Sequence, residues 1–199
     1  MADEPDISLL FEDFPELCSD GIMLEKELLA HFGLLFSAYS LLETSLQSCY
    51  VFWKLGQIFS KGQIKNQEEW RLHYDSLEKK AHDSTFGGLL RLLDDCHLIS
   101  ALQEELGLLK KKRDYFAHHF FREEVRNMFT QEARLLLMSR MNILRRRVET
   151  SEKQVGLVAS SIIERLYPRL DVDSMVKELS EKMKADAISS PQTVFGWEK

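Results

Sequence analysis

The stretch DGIMLEKELLAHFGLLFSAYSLLETSLQSCYVFW, residues 20–53, decides the fold. Its apolar side chains, from Ile22, Leu24 and Leu28 through Leu35, Tyr39, Leu42 and Leu46 to Phe52 and Trp53, recur at steps of three and four. Glu25, Lys26, Glu43 and Gln47 fall between them. That spacing lays one apolar stripe along a helix. No proline stands between Pro15 and Pro168, so the strongest helix breaker is missing from most of the chain. An all-α fold follows. His31 sits on or beside the stripe without a second ligand at i+4, and reads as a packed or boundary histidine. Gly33 is expected to let a neighbouring helix come close.

Downstream, residues 56–66 read as a loop and residues 68–81 as a second helix with Trp70, Tyr74 and Leu77 on one face. His73 and His82 read as surface residues. Asp83-Ser84-Thr85 offers cap chemistry to the helix that follows. The paired Gly87 and Gly88 lack the spacing of a phosphate loop and mark a tight packing point. Asp94-Asp95-Cys96-His97 collects oxygen, sulfur and nitrogen donors, but consecutive residues do not converge on one ion, so Asp95 is read as a helix cap. A third helix through Leu98, Leu102, Leu106 and Leu109 either bends at Gly107 or continues into the basic run after it.

From residue 130 to 167 a near-heptad series appears: Leu137, Met141, Leu144, Val148, Val155, Val158, Ile162 and Leu166, with Ser151 as its polar lapse. An unbroken helix here would reach about 57 Å. Two core helices broken near Gly156 and a dimer-forming coiled coil are both compatible with it. Pro168 ends the pattern, Asp171 or Asp173 caps a last helix over 174–187, and residues 188–199 read as a flexible tail. Residues 1–20, acidic and interrupted by Pro15, read as an N-terminal arm. The expected architecture is an up-and-down helical bundle with a long C-terminal helix, a single domain over 21–187.

The 199 residues, 44% hydrophobic and 29% charged, suit one ordinary domain. The net charge of -6 is unevenly spread. Residues 1–98 hold 8 Lys and Arg against 17 Asp and Glu, and residues 99–199 hold 18 against 15. Residues 110–147 carry 11 basic and 4 acidic side chains. A basic segment in an acidic protein points to a local anionic partner, although solvated helix faces account for the same charges. Cys18, Cys49 and Cys96 form no Cys-x-x-Cys unit and cannot all pair, which suits a reduced, cytoplasmic setting. The acidic start is unlike a signal peptide, and no apolar run approaches the length of a membrane span.

The chemistry-bearing stretch is Lys110-Lys111-Lys112-Arg113-Asp114-Tyr115-Phe116-Ala117-His118-His119-Phe120-Phe121. In a regular helix Arg113 and His118, five apart, point about 140° from each other. They meet only if Arg113 lies in a bent start to the helix or if two copies converge. Asp114 and His118, four apart, share a face, where the carboxylate could orient the imidazole and favour its protonated form. Arginine with histidine, and no carboxylate ligand set for a metal, suits phosphodiester cleavage by the RNA's own 2′-hydroxyl. Histidine moves the proton, arginine stabilises the phosphorane, and Lys110, Lys111 and Lys112 hold flanking phosphates. No metal or cofactor is expected.

Arg113-Asp114-Tyr115-Phe116-Ala117-His118 resembles the R-polar-x-x-x-H motif of HEPN domains. The resemblance implies an α-helical, commonly dimeric fold over about residues 21–167 and a metal-independent endoribonuclease, as in toxins and other prokaryotic defence effectors. Arg113 falls on the motif arginine, Asp114 on its polar second position, usually Asn, and His118 on its histidine. In the family the two motifs of a homodimer form a composite cleft for RNA. In the HepT-like branch a tyrosine two residues after the histidine receives nucleotides from a partner antitoxin. Here Phe120 has no hydroxyl, so that form of neutralisation is not expected, though another antitoxin or regulatory protein remains a possible partner. His119 is extra, either an auxiliary proton carrier or a partly buried packing residue. A non-catalytic helical module that dimerises or binds a partner protein is the competing reading.

Overall fold

Helix α2, Leu24–Ser60, is the axis of the structure. The computed structural model describes residues 6–19, 23–167 and Glu181. Before α2 come α1, Ile7–Asp13, and a 3-10 turn at Pro15–Cys18. After it come α3, Gln67–His82; α4, Phe86–Leu92; a 3-10 turn at His97–Leu102; α5, Gln103–His118; the short α6, Phe120–Glu123; a 3-10 turn at Val125–Met128; and α7, Gln131–Leu166. No strand occurs among the described residues, so the molecule is an all-α bundle. The cap expected at Asp171 or Asp173, the last helix and the tail lie outside the described residues. The chain divides into two compact units, residues 1–162 and 163–199. The first contains the helix-packed core.

The stripe read in residues 20–53 is the core. Leu28, Leu35, Leu42, Leu46 and Cys49 are all buried, and burying each leucine contributes about 1.5–3 kcal/mol. Along α2 the partners change in order. Tyr39 donates its hydroxyl hydrogen bond to the Leu109 carbonyl of α5 at 3.0 Å, and Phe32 meets Phe116 and Phe120 at ring distances of 6.4 and 5.6 Å. Toward α7, Glu25 pairs with Arg134 at 2.8 Å and Ser45 donates to Glu152 at 2.8 Å. Between α5 and α7, Glu105 accepts from Arg147 at 2.9 Å. These pairings run α2 and α7 parallel with α5 antiparallel to both.

Several sequence expectations need correction. α2 runs on to Ser60, so the loop is shorter than 56–66; the chain turns at Gly62, whose φ of 69° suits glycine. Gly33 faces open space, with nothing within 4 Å of where a Cβ would stand. Asp95 does not cap a helix: it accepts from Lys54 at 2.6 Å and from Gln57 at 3.2 Å, while the turn at His97–Leu102 lacks a side-chain cap. α5 passes through Gly107 without a break, and α7 passes through Gly156.

α7, 36 residues and about 54 Å long, buries Leu137, Met141, Leu144, Val148, Ser151, Val155 and Ile162. The near-heptad seam is therefore consumed by the chain's own core, with Ala159 buried where Val158 was expected. Other expectations match. Thr85 caps α4 by accepting from Gly88 N at 3.2 Å, Trp70 stacks on Tyr74 at 5.1 Å, and Pro15 separates α1 from the turn after it. A Cβ on Gly87 would stand 3.0 Å from Lys110 Cε, so the glycine makes room for a lysine stem between α4 and α5.

Candidate functional site

All nine residues from Lys110 to His118 lie in one regular helix, α5. Its continuity removes the bent start. Within one chain Arg113 and His118 stay on different faces, about 140° apart. Arg113 points toward α2: its guanidinium lies 3.5 Å from Glu43 and 3.6 Å from Asp114, with 30% of the side chain in solvent. His118 is the last residue of α5 and is exposed. Neither group is sunk in an apolar interior.

The three lysines do different work. Lys110 lies over Gly87 and pairs with Asp114 at 2.8 Å. Lys112 is half-buried, whereas Lys111 is exposed. Lys111 and His118 are seven apart, which puts them on one face of α5 about 10 Å from each other along the axis. Asp114, expected to hold the imidazole, is held instead by its own cations. The Lys110 hydrogen bond keeps its carboxyl below the ordinary value against the opposing effect of burial, and the charges of Arg113 and His118 add to this.

His119 packs in part: its ring stacks on Tyr115 at 6.4 Å. It caps the C-terminus of α5 with its side chain 47% exposed, and its Nδ1 shares a 2.7 Å hydrogen bond with Arg122. Phe120, in the position of the absent tyrosine, is buried among Phe32, Phe116 and Phe121. Tyr115 donates to Glu124 at 3.0 Å; burial, with Glu124 beside it, pushes its phenol up to about 12. It stays protonated near neutrality and does not serve there as a base.

Glu43 was noted in the sequence only as a polar gap in the stripe. It becomes the α2 partner of Arg113, and no local pattern announces a partner so distant in the chain. The same holds across the basic segment. Arg134, Arg145, Arg146 and Arg147 pair with Glu25, Asp13 and Glu105, so much of the local positive charge is answered by the chain's own carboxylates. A cleft of about 400 Å³ between α2 and α3, lined by Thr44, Ser48, Tyr74 and Glu78 among others, contains neither Arg113 nor His118. Among the described residues no three His, Cys, Asp or Glu side chains gather as a metal site, Cys18, Cys49 and Cys96 are free thiols, and no helix is long and apolar enough to cross a membrane.

Comparison of the chain with protein-family models, curated proteins and solved structures found no match.

Proposed function

We propose that this chain is a metal-independent endoribonuclease of the HEPN type, acting as a homodimer in which Arg113 of one copy and His118 of the other serve one scissile phosphate. The observation that carries the reading is the exposed His118 at the end of α5, in line with Lys111, with a partly exposed Arg113 on the same helix. His118 takes the proton from the attacking 2′-hydroxyl or returns one to the leaving 5′-oxygen. Arg113 stabilises the charge on the phosphorane oxygens, and Lys111 holds a neighbouring phosphate. The products are a 2′,3′-cyclic phosphate and a 5′-hydroxyl end. A toxin or defence role, restrained by an antitoxin or regulatory protein, fits such an activity in a cytoplasmic setting. The test is incubation of the purified protein with mixed RNA and a chelator, followed by mapping of the ends. Arg113→Ala and His118→Ala are expected to abolish cutting while the fold persists. Equal cutting by both variants and the parent overturns the assignment.

One observation favours the non-catalytic reading. The Arg113 guanidinium already lies against Glu43 and Asp114, as in a structural ion pair. Under that reading the chain forms a stable complex with a partner protein and has no RNA-cutting activity.

A further inference from the structure

Two buried thiols take no part in the site described above. Cys49 of α2 and Cys96, in the bend after α4, are both fully buried and both free. Three contacts pin that bend to α2 just beyond Cys49. The Trp53 ring stands edge-on to His97 at 5.0 Å, and Asp95 accepts from Lys54 at 2.6 Å and from Gln57 at 3.2 Å. Trp53 follows Cys49 by one helical turn, so the two share a face of α2. Cys96 is fixed from its own side as well. Its N–H donates to the Leu93 carbonyl at 2.9 Å, and its carbonyl accepts from Ile99 at 3.2 Å. Two sulfurs far apart in sequence are thereby brought together.

The pair is polarised. The Cys49 thiol donates a hydrogen bond to the Cys96 sulfur, and this bond and burial together hold Cys49 protonated, well above its ordinary value. The same bond, helped by the N–H groups of Leu98 and Ile99, draws Cys96 down against the opposing effects of burial and of Asp95. Cys96 is therefore the readier thiolate, and the thiolate is the form that attacks. It also lies just under the surface: Asp94, Asp95 and His97 around it are exposed. The Lys54–Asp95 pair that holds the bend is itself partly in solvent and opens at little cost. Cysteines serving only as small apolar fillers need no such pairing.

We infer that Cys49 and Cys96 are an oxidisable pair, closed to a disulfide by a hydroperoxide, and that the closed form ties α2 to the turn leading into α5. The Cys96 thiolate attacks one oxygen of the peroxide. The O–O bond breaks, a sulfenic acid forms at Cys96, and water or an alcohol leaves with the thiol proton. The Cys49 sulfur then attacks the Cys96 sulfur. The S–O bond breaks, hydroxide departs with the Cys49 proton as water, and the disulfide remains. Two thiols thus lose two electrons and two protons, which the peroxide takes up. The inference goes beyond the RNA-cutting reading and does not depend on it.

The full chain, reduced and then freed of reductant, is treated with hydrogen peroxide, quenched, unfolded in the presence of an alkylating agent and mapped by mass spectrometry. A Cys49–Cys96 cross-linked peptide that dithiothreitol reverses is expected. The exposed Cys18 serves as the internal comparison. The cross-linked protein is expected to melt roughly 5–15 °C higher than the reduced one. In Cys49→Ala the oxidation is expected to stop at a sulfenic acid on Cys96, trapped by a cyclic dione; in Cys96→Ala, Cys49 is expected to stay reduced. Both thiols remaining open to alkylation at a peroxide dose that oxidises Cys18 overturns the inference, in the parent chain and without any variant having to fold. So does a cross-link that forms only in urea, one that joins Cys18 in place of the pair, or a cross-linked protein that melts lower than the reduced one.

Discussion

Two arginine-rich regions of the molecule are built on opposite principles. At the seam between α1 and α7, Asp13 accepts from Asn142 at 2.8 Å and from Arg146 at 2.7 Å, with Arg145 3.4 Å away. Phe14 stands edge-on to the buried His31 at 4.4 Å and under Arg145 at 5.6 Å, while Leu10 is fully buried. Here cations are neutralised inside the fold. From His118 to Phe129, by contrast, Arg122, Arg126, Phe121 and Phe129 face solvent, with Phe120 buried. The difference teaches that a basic stretch in sequence does not by itself mark a ligand site. Even in the second region carboxylates stand close, Glu123 3.8 Å from Arg122 and Glu124 4.0 Å from Arg140, but the arginines stay largely in solvent.

The sharpest way to break the comparison is to remove a side chain that each region depends on. His118→Ala is expected to slow RNA cutting by about 10²–10⁴-fold with no loss of melting temperature, because the side chain is exposed. A large fall in melting temperature would place His118 in the structure instead of the chemistry. Leu10→Ala is expected to show the reverse pattern, costing about 2–5 kcal/mol in chemical denaturation through the cavity it leaves. Little change would mean that α1 is not anchored at the seam.

Acid should loosen the seam as well. Burial pushes the His31 imidazole below its ordinary value; Arg145 acts in the same direction, while the Glu27 carbonyl bond and the charges of Glu27 and Glu16 oppose them. The unfolded chain therefore takes up the proton first. This contribution to stability is complete above about pH 6.5 and is lost as pH falls through the lower folded value, with a slope of at most about 1.4 kcal/mol per pH unit. Asp13, held down chiefly by its Arg146 hydrogen bond, is likewise stabilising when ionised and loses its contribution at still lower pH. His31→Gln is expected to flatten the first limb of a stability-against-pH curve measured by denaturation. The smallest effect concerns the boundary between the two regions. Glu43→Gln removes a carboxylate that competes for Arg113, and is expected to tighten RNA binding roughly two- to fivefold, as suits a part-exposed ion pair. Weaker binding would show that Glu43 positions Arg113 for RNA.

Much of the fold was legible because helix periodicity is a local property. The stripe through Leu24, Leu35, Leu42 and Leu46 and most of the buried series on α7 follow from spacing at three and four residues, and the Thr85 cap from residue type. The errors share one cause. Gly33, Asp95 and Gly156 were assigned roles from residue type, but their roles depend on which neighbour the fold brings: none beside Gly33, Lys54 beside Asp95, and an uninterrupted helix through Gly156. At the candidate site, the helical spacing of Arg113 and His118 was readable in advance, whereas the grip of Glu43 on Arg113 and of Lys110 on Asp114 was not.

By itself the sequence determined that the chain is helical, where its apolar faces run, and that Lys111 and His118 share a face while Arg113 does not. Those are consequences of a 100° step between residues and need no partner. Tertiary structure alone decided which charges are answered within the molecule and which are left to solvent. An ion pair is a matter of a few ångströms between side chains that the sequence keeps far apart, and only packed helices bring Asp13 to Arg146 or leave Arg126 facing water.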